Sequence, residues 1–173
     1  MENPTAPHSG IYINNAGLVL LWPFLSRLFD LLSLIDNNGF VDEAAAFKAI
    51  VLLQYAATGN EGIDGVDTTL NKLLCGVKAE TTIPVIALTE TEKNTVNQML
   101  HAVTQHWDKL KNTSIDGLRD TFLHRVGKLE RKEETWQLTV EQKGFDVLLY
   151  TIPWSFSTIK LTWMPEILQV TWR

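Results

Sequence analysis

The sequence predicts an α+β fold, with helices first and a sheet last. Three observations predict it. From about residue 14 to His124, apolar side chains recur at three- and four-residue steps, the period of helices. After His124 the period falls to two: Trp136, Leu138 and Val140 alternate with Gln137, Thr139 and Glu141, the pattern of a half-buried strand. Third, the strand-like runs gather at one end of the chain, whereas a parallel α/β sheet would interleave them with helices. The full expectation is a flexible lead-in over 1–10 and one domain over 11–173. Within it, about five helical segments occupy 11–125 and a β-β-α-β-β antiparallel sheet region occupies 126–173.

The elements follow in order. Asn14 and Asn15 are good N-cap residues for a first helix. Pro23 either kinks that helix or begins a second segment. Asp36-Asn37-Asn38-Gly39 is a turn. Asp42 caps a second helix that runs from Glu43 to about Ala57 and stops at Thr58-Gly59. Asn60 to Asp67, rich in glycine and acid, reads as an exposed loop. Thr68 to Cys75 is a short helix ended by Gly76, and Val77 to Ile86 is extended. Thr89 with Glu92 forms a capping box for the clearest helix, whose apolar face is Val96, Leu100, Val103, Trp107 and Leu110. A shorter helix runs from Ser114 to about His124. Leu129 then lies on the hairpin partner of Trp136–Val140, with the turn at Lys132 to Glu134. Phe145, Leu148, Leu149 and Ile152 return to helical spacing until Pro153. Ile159, Leu161 and Trp163, and then Leu168, Val170 and Trp172, form the last two strands about the link Met164-Pro165-Glu166.

A chain of 173 residues is long enough to bury about 70% of the surface it exposes unfolded. Its net charge of -5 argues against a nucleic-acid binder with a broad basic surface. A single cysteine, Cys75, excludes an internal disulfide framework and points to the cytoplasm. The most apolar run, Ala16 to Ile35, has the length of a membrane span. Ser26, Arg27, Asp30 and Ser33 line one helical face of it, so it reads as an amphipathic core helix and a membrane role is disfavoured.

No catalytic, metal or cofactor site is expected. Phosphate-loop and nucleophile-elbow patterns are absent from the sequence. His101 and His106 are five residues apart and diverge on a helix. In an EF-hand register set by Gly39, Leu34 and Ala45 would fall at ligand positions. Cys75 sits at a helix C-terminus, where the dipole raises a thiol pKa. The mixed-sign run Lys128 to Glu134 reads as a solvated hairpin that blunts a sheet edge. Six tryptophans are the less ordinary feature. Trp22, Trp154 and Trp163, with Met164 and Pro165, are candidate protein-interaction residues, since tryptophan is enriched at interface hot spots.

Several ordered motifs carry a family resemblance. Ile13-Asn14-Asn15-Ala16-Gly17-Leu18 through Trp22-Pro23-Phe24-Leu25, then Leu52-Leu53-Gln54-Tyr55 and Leu70-Asn71-Lys72-Leu73-Leu74-Cys75-Gly76, come first. His106-Trp107, Lys111-Asn112-Thr113-Ser114, Gly117-Leu118-Arg119, Phe122-Leu123 and Gly127-Lys128-Leu129 continue the series. Pro153-Trp154-Ser155, Ile159-Lys160-Leu161 and Trp163-Met164-Pro165 complete it. Together, from about Gly10 to Trp172, they resemble the tape-measure proteins of bacterial contractile injection systems, which look like headless phage tails.

The resemblance implies a non-enzymatic assembly role on the inner tube of such a particle. Implied partners are inner-tube, baseplate hub or cap proteins, with self-association plausible in a ring-shaped assembly. No cofactor is expected, and the net charge disfavours a nucleic-acid partner. Tape-measure proteins are generally much longer, so the chain reads either as one domain of a ruler or as a short cap or tube-end adaptor or plug. The rival classes are a membrane-associated component using Trp22, and a hydrolase carried by the particle using Cys75, His106 or His124.

Overall fold

A computed structural model describes residues 10–172. Of the expected lead-in, residues 1–9 lie outside the described residues.

The helical half forms largely where its caps place it. Asp42 accepts a hydrogen bond from the Ala45 N–H and opens helix α2, Glu43–Thr58. Gly59 ends α2 in the left-handed region, at φ 79°. Thr89 and Glu92 form a complete capping box at the start of α4, Glu90–His106. Between them lies α3, Thr69–Leu74.

The first helical stretch divides at Pro23, the second of the two outcomes expected there. Its start is a 3₁₀ segment, Ala16–Leu21, and α1 proper is Trp22–Leu31. Pro23 stands in the first turn of α1, where its missing N–H costs nothing. The 3₁₀ segment packs closely on the later helical turn: a Cβ on Gly17 would lie 1.9 Å from the Phe122 carbonyl oxygen. Leu25, Leu28 and Phe29 turn inward, and Ser26, Arg27 and Asp30 face water. Asp36–Gly39 makes a small hairpin of β2, Ile35–Asp36, and β3, Gly39–Phe40. The segment after α4 contains a short 3₁₀ turn, Asp108–Leu110, then α5, Ile115–Leu118, which widens into a π-helical turn, Arg119–Leu123.

The main sheet has the order β1-β4-β5-β7-β6. Its strands are β1, Ile11–Ile13; β4, Gly127–Lys132; β5, Thr135–Val140; β6, Thr158–Ile159; and β7, Ile167–Thr171. Three expectations are corrected. The sheet is mixed, because β5 and β7 run parallel from Thr135↔Ile167 to Thr139↔Thr171. The chain leaves β5 at one end and crosses back before β7 begins, so both strands point the same way. The region read as wholly helical from residue 11 supplies a strand, β1, that pairs antiparallel with β4 over Gly127–Leu129. The Lys128–Glu134 hairpin therefore does not form a sheet edge along its whole length. A three-residue strand is too short to show a period.

The segment before Pro153 is a 3₁₀ helix, Gly144–Thr151, in place of an α-helix. Asp146 and Leu149, three residues apart, point inward, while Val147 and Tyr150 face out, as three residues per turn requires. The strand expected over Ile159–Trp163 shrinks to the two residues of β6. Val77–Ile86 has no regular structure. One hydrophobic cluster joins both halves: Leu18, Leu52 and Leu100 belong to it together with Leu129, Leu138 and Leu168.

Candidate functional site

The inner face of the sheet is not covered equally along its length. Arg131 pairs with Trp136, and Trp136 with Leu168, so these side chains share one face. They lie at the end where β5 and β7 begin. There the cover is a loop, Gly76–Glu80, on one side and the Met164–Ile167 turn on the other. Between them lies a groove of about 580 Å³ whose lining includes Leu73, Val77, Ala79, Trp136, Met164 and Leu168. That volume falls in the range of about 300–1,000 Å³ seen for ligand pockets.

The two walls touch at the base. Gly76 is at φ 70°, and a Cβ there would lie 2.4 Å from the Trp163 carbonyl oxygen. The Trp163 indole N–H donates to the Leu74 carbonyl at 2.8 Å. Met164 is buried, and its sulfur accepts the Leu161 N–H at 3.3 Å. Pro165 is exposed at the lip.

Charge gathers at the mouth. Arg131 faces Glu166 through both Nε and a terminal nitrogen, a bidentate pair. The hydrogen bond to Glu166 raises the Arg131 pKa, opposed by partial desolvation, and the charges of Glu166, Glu134 and Glu80 add to the rise. With Lys78, the groove lining holds three carboxylates and two cations.

The five candidate interaction residues do not converge. Trp163, Met164 and Pro165 belong to the groove or its base. Trp22 and Trp154 meet elsewhere: the Trp22 indole donates to the Ser155 carbonyl at 2.7 Å, and the Trp154 indole to the Leu20 carbonyl at 2.9 Å. All three indoles are half-buried and their N–H groups are engaged within the chain. Trp154 also lines a smaller hollow of about 390 Å³ with Tyr150, Phe156 and Trp172.

Arg131, Glu134, Trp136 and Glu166 did not stand out as a site in the sequence. The strand period could have paired Arg131 with Trp136, but the approach of β7 and of the Gly76–Glu80 loop is a long-range event with no local signal.

Many of the motif residues prove to be internal joints. Asn15 donates to Gln54 at 3.1 Å and to Asn71 at 2.8 Å, and Asn71 donates to the Ile50 carbonyl at 3.1 Å. All three amides are buried. Arg119 donates to the Ala56 and Tyr55 carbonyls near the C-terminus of α2. A Cβ on Gly127 would meet Ala16 at 2.8 Å.

The groups weighed for catalysis differ in exposure. Burial pushes the Cys75 thiol pKa well up. His101, His106 and His124 are exposed, and His106 Nδ1 lies 2.8 Å from the Ala102 carbonyl oxygen of its own helix. Among the described residues, no group of three or more His, Cys, Asp or Glu side chains could hold a metal ion. Among the same residues, no helix is long and apolar enough to cross a membrane.

A family model described as Contractile injection system tape measure protein matches residues 2–172, nearly the whole chain. No curated protein and no solved structure matches it.

Proposed function

This chain belongs to the contractile injection system tape measure protein family, and on that premise we propose that it is a non-enzymatic assembly protein that engages the inner tube of the particle or the tube's end. The observation that carries this reading is the match to the family over residues 2–172. Its direct partners are inner-tube, baseplate hub or cap proteins. Assembly takes place in the cytoplasm, before the particle is released or docked. Trp163, Met164 and Pro165 serve the partner surface through the groove they border, and Trp22 and Trp154 serve it from the second aromatic cluster.

The described chain acts on the tube as a compact unit, whether as one domain of a longer ruler or as a tube-end adaptor or plug. As one continuous helix, 173 residues would span about 260 Å. The longest helix has 17 residues, and both halves share one core, so we read the described chain as one domain. A compact chain of this length has a radius of gyration near 16 Å. Such a unit touches a tube at one level and does not measure it.

The test is capture of the tagged protein from cells that build the particle, with the purified tube, hub and cap components tested one by one. Recovery of any of these, and fewer or incomplete particles when the gene is deleted, is the expected result. Recovery of none of them, with normal particles after deletion, overturns the reading.

A further inference from the structure

The connection from α3 to α4 ends in a stretch that is held straight and left unpaired. Residues 81–89 pass without a turn, a bend or a strand partner. Among the described residues, no hydrogen bond reaches the backbone of residues 82–87. We infer that this stretch is a docking strand, to which an extended segment of another protein adds by backbone hydrogen bonds, with an apolar side chain set against Val85. The inference rests on the assembly role above and names the surface that meets the partner.

The stretch is anchored at both ends and along its inner side. The Thr81 N–H donates to the Lys78 carbonyl at 3.0 Å, and the Lys72 ammonium to the Ala79 carbonyl at 3.2 Å. At the other end the Leu88 N–H donates to Glu61 at 2.7 Å, and Glu61 also pairs with Lys93 of α4 at 2.8 Å. Ile83 and Ile86 are half-buried and pack against the core. Thr82, Pro84, Val85 and Ala87 face water, and Val85 is 87% exposed. A segment already held extended loses little freedom when a partner pairs with it. Its composition suits pairing: Thr81, Thr82, Ile83, Val85 and Ile86 are β-branched. Exposed strands are commonly guarded by charge, yet residues 81–89 carry none. A row of unpaired N–H and C=O groups is a template for an added strand. In an extended chain successive N–H groups point to opposite edges, so Pro84 spoils one edge only. The Leu88 N–H, on that same edge, is already taken by Glu61. The other edge carries the N–H groups of Ile83, Val85 and Ala87, and it is the edge that the partner reads. The stretch follows directly on the Gly76–Glu80 loop that walls the groove, so it continues the surface assigned above to partners.

The probes are the purified tube, hub and cap components, one by one, and a synthetic peptide of alternating valine and threonine. A copy of the peptide with methylated backbone nitrogens, which cannot donate, is the control. Amide hydrogen exchange of the intact protein reads each mixture. The peptide and one of the components should slow exchange at Ile83, Val85 and Ala87 by about tenfold near saturation, and the methylated copy should not. Val85→Pro removes the central donor and breaks no hydrogen bond of the fold. It should weaken capture of that component by about tenfold, with an unchanged thermal midpoint as the check on folding. Val85→Thr keeps the donor and should bind as the wild type does. Exchange left unchanged by the peptide and by every component overturns the assignment, as does equal slowing by the methylated copy or equal capture by Val85→Pro. Slowing that grows with the protein's own concentration, alongside a dimer in sedimentation, overturns the choice of occupant in favour of a second copy. The two readings fail separately. A component that binds without slowing these amides removes the docking strand and leaves the assembly role standing. If no component binds while the peptide slows exchange as described, the assembly role fails and the docking strand stands.

Discussion

Two arginine–carboxylate pairs stand at opposite ends of the same sheet, and their surroundings make them different objects. At the end where β5 and β7 finish, Arg125 meets Asp146 at 2.7 Å, with side chains 0% and 8% exposed. Arg125 also donates to the Glu141 and Thr121 carbonyls, and its guanidinium lies over Phe122, Phe145 and Trp172. The Trp172 indole and the Lys143 N–H donate to the same Asp146 oxygen. This one knot ties the π-helical turn, β5, the 3₁₀ segment and the end of the sheet together. At the other end Arg131 and Glu166 are 35% and 25% exposed and border an open groove. The chemistry is the same. Water decides the rest: the buried pair has exchanged solvation for fixed partners at all but Arg125 Nε and Asp146 Oδ1, and the open pair keeps solvation and contributes little to the fold.

The comparison breaks most sharply at Arg125. Arg125→Ala leaves the Asp146 carboxylate buried without its cation, and a loss of about 3–5 kcal/mol is expected in urea unfolding. If the variant loses under 1 kcal/mol, the knot is not the anchor described here.

Acid sharpens the same contrast. Burial raises the Asp146 pKa, but the hydrogen bond from Arg125, with those from Lys143 and Trp172, outweighs it and holds the group below its ordinary value of 3.8. A lowered folded pKa means that the stabilisation is complete above the unfolded pKa. It is lost as pH falls through the folded one. Stability should therefore drop below about pH 4 in the wild type, and the drop contributed by this site should vanish in Asp146→Asn. Equal acid slopes in both proteins would remove Asp146 from the account.

Asn15→Ala tests a different buried joint. It removes the amide that spans Gln54 and Asn71 and leaves the Asn71 acceptor unpaired, while Gln54 keeps the hydrogen bond from the Asn71 amide at 3.3 Å, at an expected cost of about 1–3 kcal/mol. Thermal unfolding of the variant measures it.

The smallest effect belongs to the open end. Arg131→Ala should leave the urea midpoint close to that of the wild type, because the pair is solvated. A loss as large as that of Arg125→Ala would mean that the two ends of the sheet are not different in kind.

How much of this was legible beforehand follows the range of the interactions. Asp42, Gly59, Thr89 and Glu92 mark helix ends through bonds that span no more than four residues, so the caps were readable in sequence. The alternation of Trp136, Leu138 and Val140 was readable for the same reason. The candidate groove was legible only in part, through Trp163, Met164 and Pro165. Arg131 and Glu166 are 35 residues apart, and neither is unusual where it stands.

The sequence by itself determined the helix boundaries that carry caps, the hairpin of β4 and β5, the inward face of α4 and the family. Local hydrogen bonding and hydrophobic period write those features into neighbouring residues. Tertiary structure alone decided that β7 lies parallel to β5, that β1 joins the sheet, and that Gly144–Thr151 winds as a 3₁₀ helix with Asp146 facing Arg125. It alone decided that one end of the sheet is sealed and the other open. Those outcomes depend on which distant surfaces compete for the same buried area, and a one-dimensional pattern does not rank such surfaces.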